Sequence, residues 1–363
     1  MTPVHRASEG FDVIFSPAPV SDPLVARLDP RSYHEIARHV IDTPTYEWIR
    51  SGSGAGFDSD NESAFRRRRL RPSVLVDVSL VSTATTVLGV PIAAPVMVSP
   101  MGLQRAVHPD GEVAMAIGAA QAGSLLTVAV NATTSIEEIA AAAPALPLWF
   151  QLYNWDDRDA LAAVIARAEA VGCRAIVPLV NTPIGVNHAS PRIGFRLPAG
   201  ARFAHFDTSP ELIGSNTFEY LGWLRSVTNL PIVPKGIMTA GDATRAVDAG
   251  AAAIIVSNHG GRQLARSVST LDALADVVSG ARGVEVYLDG GVRGGSDILV
   301  ALALGARAVM VGRAAMWGLA VGGAEGVSRV LDTLRTELAD DAGLCGLADA
   351  TAAPHDLVAD VAG

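Results

Sequence analysis

The chain is poor in cysteine: Cys173 and Cys345 are its only two in 363 residues. Two are too few for a disulfide framework, and no metal-ligand spacing accompanies them. Long apolar runs are also missing. No stretch of about 18 apolar residues could span a bilayer, and the N-terminus lacks the charged start and apolar core of a signal peptide. Excess positive charge is absent: a formal charge of -9 gives no electrostatic case for nucleic acid or an anionic membrane. Aromatic residues are scarce, at 5% against 49% hydrophobic overall. With Ala and Gly dominant, helices are expected to pack closely on a sheet. The expected setting is a soluble, cytoplasmic, reducing compartment.

What is present is a period. Short apolar runs recur at Ile92–Val98, Ser124–Val130, Leu148–Tyr153, Ala175–Val180, Ile232–Ile237, Ala253–Ser257, Val284–Leu288 and Ala308–Val311. Between most of them lie Ala-rich amphipathic stretches such as Asp159–Val171 and Asp242–Ala249, closed by Gly172 and Gly250. Strand, helix, Gly, strand is the signature of right-handed βαβ units. Repeated through about 220 residues, it predicts an α/β protein with a (β/α)8 TIM barrel and its active site at the C-terminal strand ends. A doubly wound open sheet is the alternative, disfavoured by the repeat and by the lack of a G-x-G-x-x-G opening. The division expected is 1–90 as an N-terminal arm and helical extension, and 91–363 as the barrel with a C-terminal helix. Within the former, 1–30 is Pro-rich and irregular, Tyr33–Val40 is helical, and Tyr46–Arg50 precedes a Gly/Ser turn. The basic run Arg66–Arg69 is expected to be a solvated edge. A long connection after the fourth strand, Pro183–Asn216, reads as a lid, because loops of that length in compact domains are functional or disordered.

Polar residues stand where the apolar runs stop. The stretch Ser257-Asn258-His259-Gly260-Gly261-Arg262 puts a proton carrier and a planar anion clamp on one strand end. Together they suggest proton abstraction from an anionic substrate. Asp289-Gly290-Gly291-Val292-Arg293 and Val311-Gly312-Arg313, from the last two strands, suit a phosphate held by backbone N–H groups and two arginines. Lys235 could stabilise negative charge on a cofactor ring, or form a structural salt bridge. Gln151 and Tyr153 alternate on the third strand and therefore share a face.

These segments, with Pro234-Lys235-Gly236, Gln151-Leu152-Tyr153 and Ser99-Pro100-Met101-Gly102, resemble the FMN-dependent 2-hydroxy acid oxidase/dehydrogenase family, which includes glycolate oxidase, lactate oxidase, mandelate dehydrogenase and 4-hydroxymandelate oxidase. The similarity runs from about Tyr33 to Leu347. It implies FMN at the barrel mouth, with the phosphate on Gly291, Arg293, Gly312 and Arg313, and with Ser257 and Asp289 in the same site. Lys235 would face one polar edge of the flavin and Gln151 another, with Met101 and Gly102 near the ring nitrogen that takes the hydride equivalent. His259 would remove the substrate proton, Arg262 would hold the carboxylate, and Tyr153 would bind the hydroxyl or carboxylate. The resemblance further implies a homo-oligomer, commonly a tetramer, and O2 or a soluble carrier as acceptor, because the fourth loop is too short and polar for a membrane anchor.

The departures concern the substrate. The family has an Asp supporting the catalytic His where this chain has Asn181, and His188 stands where a second carboxylate-binding Arg is usual. Arg192 could substitute for it. Trp48 replaces a tyrosine of the substrate pocket, and Leu179 and Ala129 replace small hydroxyl residues. Charge-assisted hydrogen bonds contribute roughly 1.5–3 kcal/mol against about 1 for neutral ones, so His259 is expected to be a weaker base than usual. Three readings follow: oxidation of an atypical 2-hydroxy or 2-amino compound whose carboxyl is masked, conventional 2-hydroxy acid oxidation, or an FMN-binding protein or isomerase without net redox turnover.

Overall fold

The computed structural model describes residues 30–51, 60–183, 194–206 and 216–360. The expected arm, Pro30 excepted, lies outside the described residues, as do His188 and Arg192 of the expected lid. Eight parallel strands form one sheet: β4 (Val96–Val98), β5 (Leu126–Ala129), β6 (Leu148–Leu152), β7 (Ile176–Pro178), β8 (Lys235–Ile237), β9 (Ala253–Ser257), β10 (Glu285–Asp289) and β11 (Ala308–Val311). They pair in sequence order, β11 returns to β4, and bridges Ile176↔Ile232 and Leu179↔Lys235 close the remaining gap. The result is a closed (β/α)8 barrel. Inside it, alternate residues such as Met97, Trp149, Val177, Ile255, Tyr287 and Met310 pack into one buried cluster.

Two strand expectations need correction. Ile92–Val98 is not one strand, because Pro95 has no N–H for a ladder. Val90–Ile92 (β3) instead pairs antiparallel with Thr85–Val87 (β2), and this hairpin sends Val87 and Ile92 into the interior cluster. Lys235 does not end its strand but begins the hydrogen-bonded part of β8, where a register shift at Gly236 separates it from Ile237.

The helices begin where short polar caps demand it. Ser135 and Glu138 form a reciprocal capping box, and Asp157, Thr239 and Ser269 each accept an N–H of the first turn. Before the barrel, α1 (Pro30–Val40), α2 (Thr43–Arg50) and α3 (Asp60–Arg66) pack on it, α1 against the last helix, Arg313–Leu344. The basic run is engaged in holding surface elements together rather than merely solvated. Arg67 and Arg68 both pair with Asp272, Arg68 also pairs with Asp360, and Arg71 donates to the carbonyls of Asp356 and Val358.

Candidate active site

The C-terminal strand ends surround a cavity of about 500 Å³. Its wall includes Met101, Gly102, Gln151, Tyr153, Lys235, His259, Arg262, Asp289, Gly291, Arg293, Gly312, Arg313 and Trp48. Leu179 and Ala129 line it as well. Among the described residues, two expected site residues are not on the wall: Ser257 is fully buried beneath it, and Asn181 is bound to the Ser257 carbonyl.

Ser257 belongs to a buried polar network. The Lys235 ammonium lies 2.6 Å from Asp289 Oδ2 and donates to Ser257 Oγ at 2.9 Å. Ser257 Oγ donates to Asp289 Oδ2 at 2.7 Å, and Ser99 Oγ donates to Oδ1 at 2.8 Å. The His259 N–H donates to Ser257 Oγ at 3.1 Å. Burial by itself would raise the Asp289 carboxyl, but the Lys235 charge and the three donors hold it below its usual value. Lys235 forms the structural salt bridge, one half of an ion pair spanning β8 and β10, and it also lines the cavity.

His259 sits in a left-handed turn, with φ of 60°, ahead of two glycines. Burial, then the charges of Lys235 and Arg262, press its imidazole down to about 3, so it rests as a neutral base. The expected hydrogen bond from Asn181 to His259 is not formed. Asn181 Nδ2 donates to the Ser257 carbonyl at 3.1 Å, while Asn181 Oδ1 and His259 Nδ1 are both buried without a partner.

Arg262 is partly committed before any ligand arrives. Its Nη1 donates to the carbonyls of Trp48, Ile49 and Ser51, at 2.6, 3.3 and 2.9 Å, capping the end of α2. Its guanidinium lies 5.3 Å from the centre of the Trp48 ring, whose other contact is Phe195, stacked at 4.3 Å. The phenol of Tyr153 is raised by burial, against the lowering pull of Arg262.

The opposite end is built for an anion. Arg313 donates to the carbonyls of Arg50 and Gly260 and stands at the start of the last helix. Burial, then Arg293 and Arg262, push its guanidinium down to about 10. Crowded cations at a helix N-terminus are relieved by a multiply charged anion. Arg293 pairs with Glu62 at 2.9 Å and keeps its place on the wall. Gln151 Nε2 is a buried donor without a partner. A phosphate at the arginine end, with a planar polar ring toward Gln151 and Lys235, satisfies these groups. FMN fits this donor set.

Asn61 carried no motif in the sequence, yet it fastens α3 to the site. It exchanges two 2.8 Å hydrogen bonds with Asn258 and accepts the Thr270 N–H at 3.1 Å. Its backbone also lies 2.8 Å from where a Cβ on Gly291 would be, and Gly291 has φ of 89°. Gly291→Ala is therefore expected to cost roughly 1–2 kcal/mol from backbone strain alone. It should also weaken FMN binding, read as a lower Tm and a raised dissociation constant in a flavin titration.

The family model described as FMN-dependent dehydrogenase matches residues 37–360. The L-lactate oxidase of Nostoc sp. is 40% identical over 332 residues, covering 84% of this chain and 91% of that protein. A tyrosine-to-phenylalanine variant of mandelate oxidase with (S)-mandelic acid superposes with TM-score 0.87 at 38% identity, covering 93% of this chain and 99% of that one. An arginine-to-leucine variant of mandelate oxidase with 2-hydroxy-phenylacetamide gives TM-score 0.86 at 38% identity, with the same coverage.

Proposed function

The chain belongs to the FMN-dependent dehydrogenase family, an oxidoreductase with FMN as its cofactor, and from that premise we propose that it oxidises a 2-hydroxy compound, or its 2-amino analogue, whose carboxyl is masked as an amide or ester. O2 is the proposed acceptor, taking two electrons and two protons to give H2O2. The observation that carries the substrate class is the state of Arg262. One nitrogen of its fork is already bound to three carbonyl oxygens. Bringing a free carboxylate out of water requires full pairing to offset its desolvation, whereas an amide or ester oxygen needs only a donor. The mandelate oxidase variant with an arginine replaced by leucine, seated with an uncharged amide, supports this reading.

FMN, when bound, supplies the two-electron acceptor. Gly291, Arg293, Gly312 and Arg313 would hold its phosphate, and Gln151 and Lys235 would meet its polar edges. Neutral His259, on the cavity wall, would take the proton of the substrate hydroxyl. The free part of the Arg262 fork and the Tyr153 phenol orient the carboxyl-derived oxygen. The stacked Trp48 and Phe195 rings screen this end from water. None of the described helices is long and apolar enough to cross a membrane.

The test is anaerobic bleaching of the flavin by mandelate, its methyl ester and 2-hydroxy-phenylacetamide, then aerobic H2O2 release. Ester or amide should exceed the free acid in kcat/KM by about tenfold or more, the scale of one lost charge-assisted contact. Faster turnover of free mandelate, lactate or glycolate would return the enzyme to conventional acid oxidation.

A further inference from the structure

Glu112, in the first turn of α4 (Gly111–Gln121), is 2% exposed and stands outside the cavity wall. Four donors converge on its carboxylate. Oε1 accepts the N–H groups of Gln104 and Thr133 at 3.1 and 2.8 Å, and Oε2 accepts the hydroxyls of Thr133 and Thr134 at 2.7 and 3.0 Å. A carboxylate offers acceptors to all four and no donor to oppose them. No cation pairs with it among the described residues.

The two oxygens reach two different strand-end loops. Gln104 follows β4 on the loop that carries Met101 and Gly102, and Thr133 and Thr134 follow β5 on the loop that carries Asn131. Three further bonds run between or within these loops: Arg105 N–H to Thr133 Oγ1 at 3.2 Å, Leu103 N–H to the Asn131 carbonyl at 3.3 Å, and Gln104 Nε2 to the Met101 carbonyl at 2.9 Å. Met101, Gly102 and Asn131 all line the cavity. Their contact is so close that a Cβ on Gly102 would overlap the Asn131 carboxamide. We infer that Glu112 is a positioning residue: from behind the wall it sets how far the Met101–Gly102 backbone stands from Asn131, and so the width of the flavin-and-substrate space on that side. The arginines of the proposed phosphate end follow β10 and β11, and the bonds they make run to Glu62, Val292, Arg50 and Gly260 rather than to Glu112 or its donors.

The test is Glu112→Gln in the holoenzyme. The amide oxygen would keep the N–H groups of Gln104 and Thr133. The amide nitrogen would face the Thr133 and Thr134 hydroxyls, which must break their bonds to the carboxylate and turn to accept, shifting one loop against the other. The visible circular dichroism of bound FMN should change, and KM for whichever of mandelate or its amide reduces the native enzyme should rise about ten- to a hundredfold, as small misplacements do. The FMN dissociation constant should stay within about twofold, because the arginine end is untouched. Unchanged dichroism and KM would overturn the inference. So would FMN affinity and KM loosening in step with a fall in Tm, which marks a merely structural group. The dichroism needs no substrate, so it stands whatever acid derivative the enzyme takes. If Glu112→Gln does not fold, Thr134→Val removes one donor and keeps the carboxylate. It should give the same changes at smaller size, and behaviour identical to the native enzyme would overturn the inference.

Discussion

His259→Asn lowers kcat by about a hundred- to ten-thousandfold, the usual contribution of a positioned general base, and leaves FMN bound. Asparagine is the replacement of choice because position 259 has φ of 60°, a conformation Asn tolerates better than most residues. Its carboxamide cannot accept and hold the hydroxyl proton. The proposed phosphate end, on Gly291, Arg293 and Arg313, does not include His259, so the flavin titration should be unchanged within about twofold. The pH dependence separates this base from an ordinary histidine. At a value of about 3 the native imidazole stays unprotonated through the whole range from weakly acidic to neutral. The kcat/KM profile of the native enzyme should therefore show no acid limb near the ordinary histidine value of about 6.5. Stability moves in a definite sense as well. A His depressed in the folded state binds fewer protons there than when unfolded, so its contribution is complete above about 6.5 and is lost as pH falls toward 3. Removing it should flatten the acid side of a Tm-against-pH curve. A retained limb near 6.5, or kcat within a factor of about three of native, would remove His259 from the role of base.

Much of this site is legible in the sequence because a barrel converts strand order into spatial convergence. Gln151, Tyr153, His259, Arg262, Asp289 and Arg313 lie far apart along the chain and meet only because each ends or follows a strand of one ring. Strand periodicity therefore finds the wall. It does not find what lies behind the wall. The resemblance puts Ser257 among the cofactor contacts, but its hydroxyl is used between Lys235 and Asp289 beneath the wall. Asn61 is silent because its partner, Asn258, is nearly two hundred residues away and a reciprocal carboxamide pair leaves no local pattern. Asn181 fails for a different reason. Its position is right, but the choice between His259 and the Ser257 carbonyl is made by side-chain rotation, which no spacing encodes. Glu112 opens a helix, where an acidic residue is unremarkable, and only the fold brings the second loop to it. One compositional signal was available: Lys235 is the only lysine in the chain, every other such cation being Arg. A compact ammonium where all else is guanidinium marks a place too narrow for a planar fork.

That lone lysine also gives the largest expected stability effect. Lys235→Met should destabilise the protein by about 3–5 kcal/mol, the cost of breaking a buried pair from one side. The side chains of Lys235 and Asp289 are 4% and 10% exposed, so little water can replace the lost partner. Ser99 and Ser257 would still donate to Asp289, but hydroxyls carry no compensating charge. The pH dependence should change sign. In the native protein Asp289 is held below its usual value, so its contribution is present above about 4 and is lost as pH falls through the folded value. In Lys235→Met, burial is opposed only by the two serine hydroxyls and raises the carboxyl above its native value. The variant is then penalised at neutral pH and regains stability as acid protonates Asp289. Adding Asp289→Asn should recover much of the loss and remove the slope, because a neutral amide has no charge to strand. Chemical denaturation of the three proteins at two pH values reads all of this. A single variant that loses less than about 1 kcal/mol, or a double variant no better than the single, would mean that the pair is hydrated and that the Ser257–Asp289 network stands without Lys235.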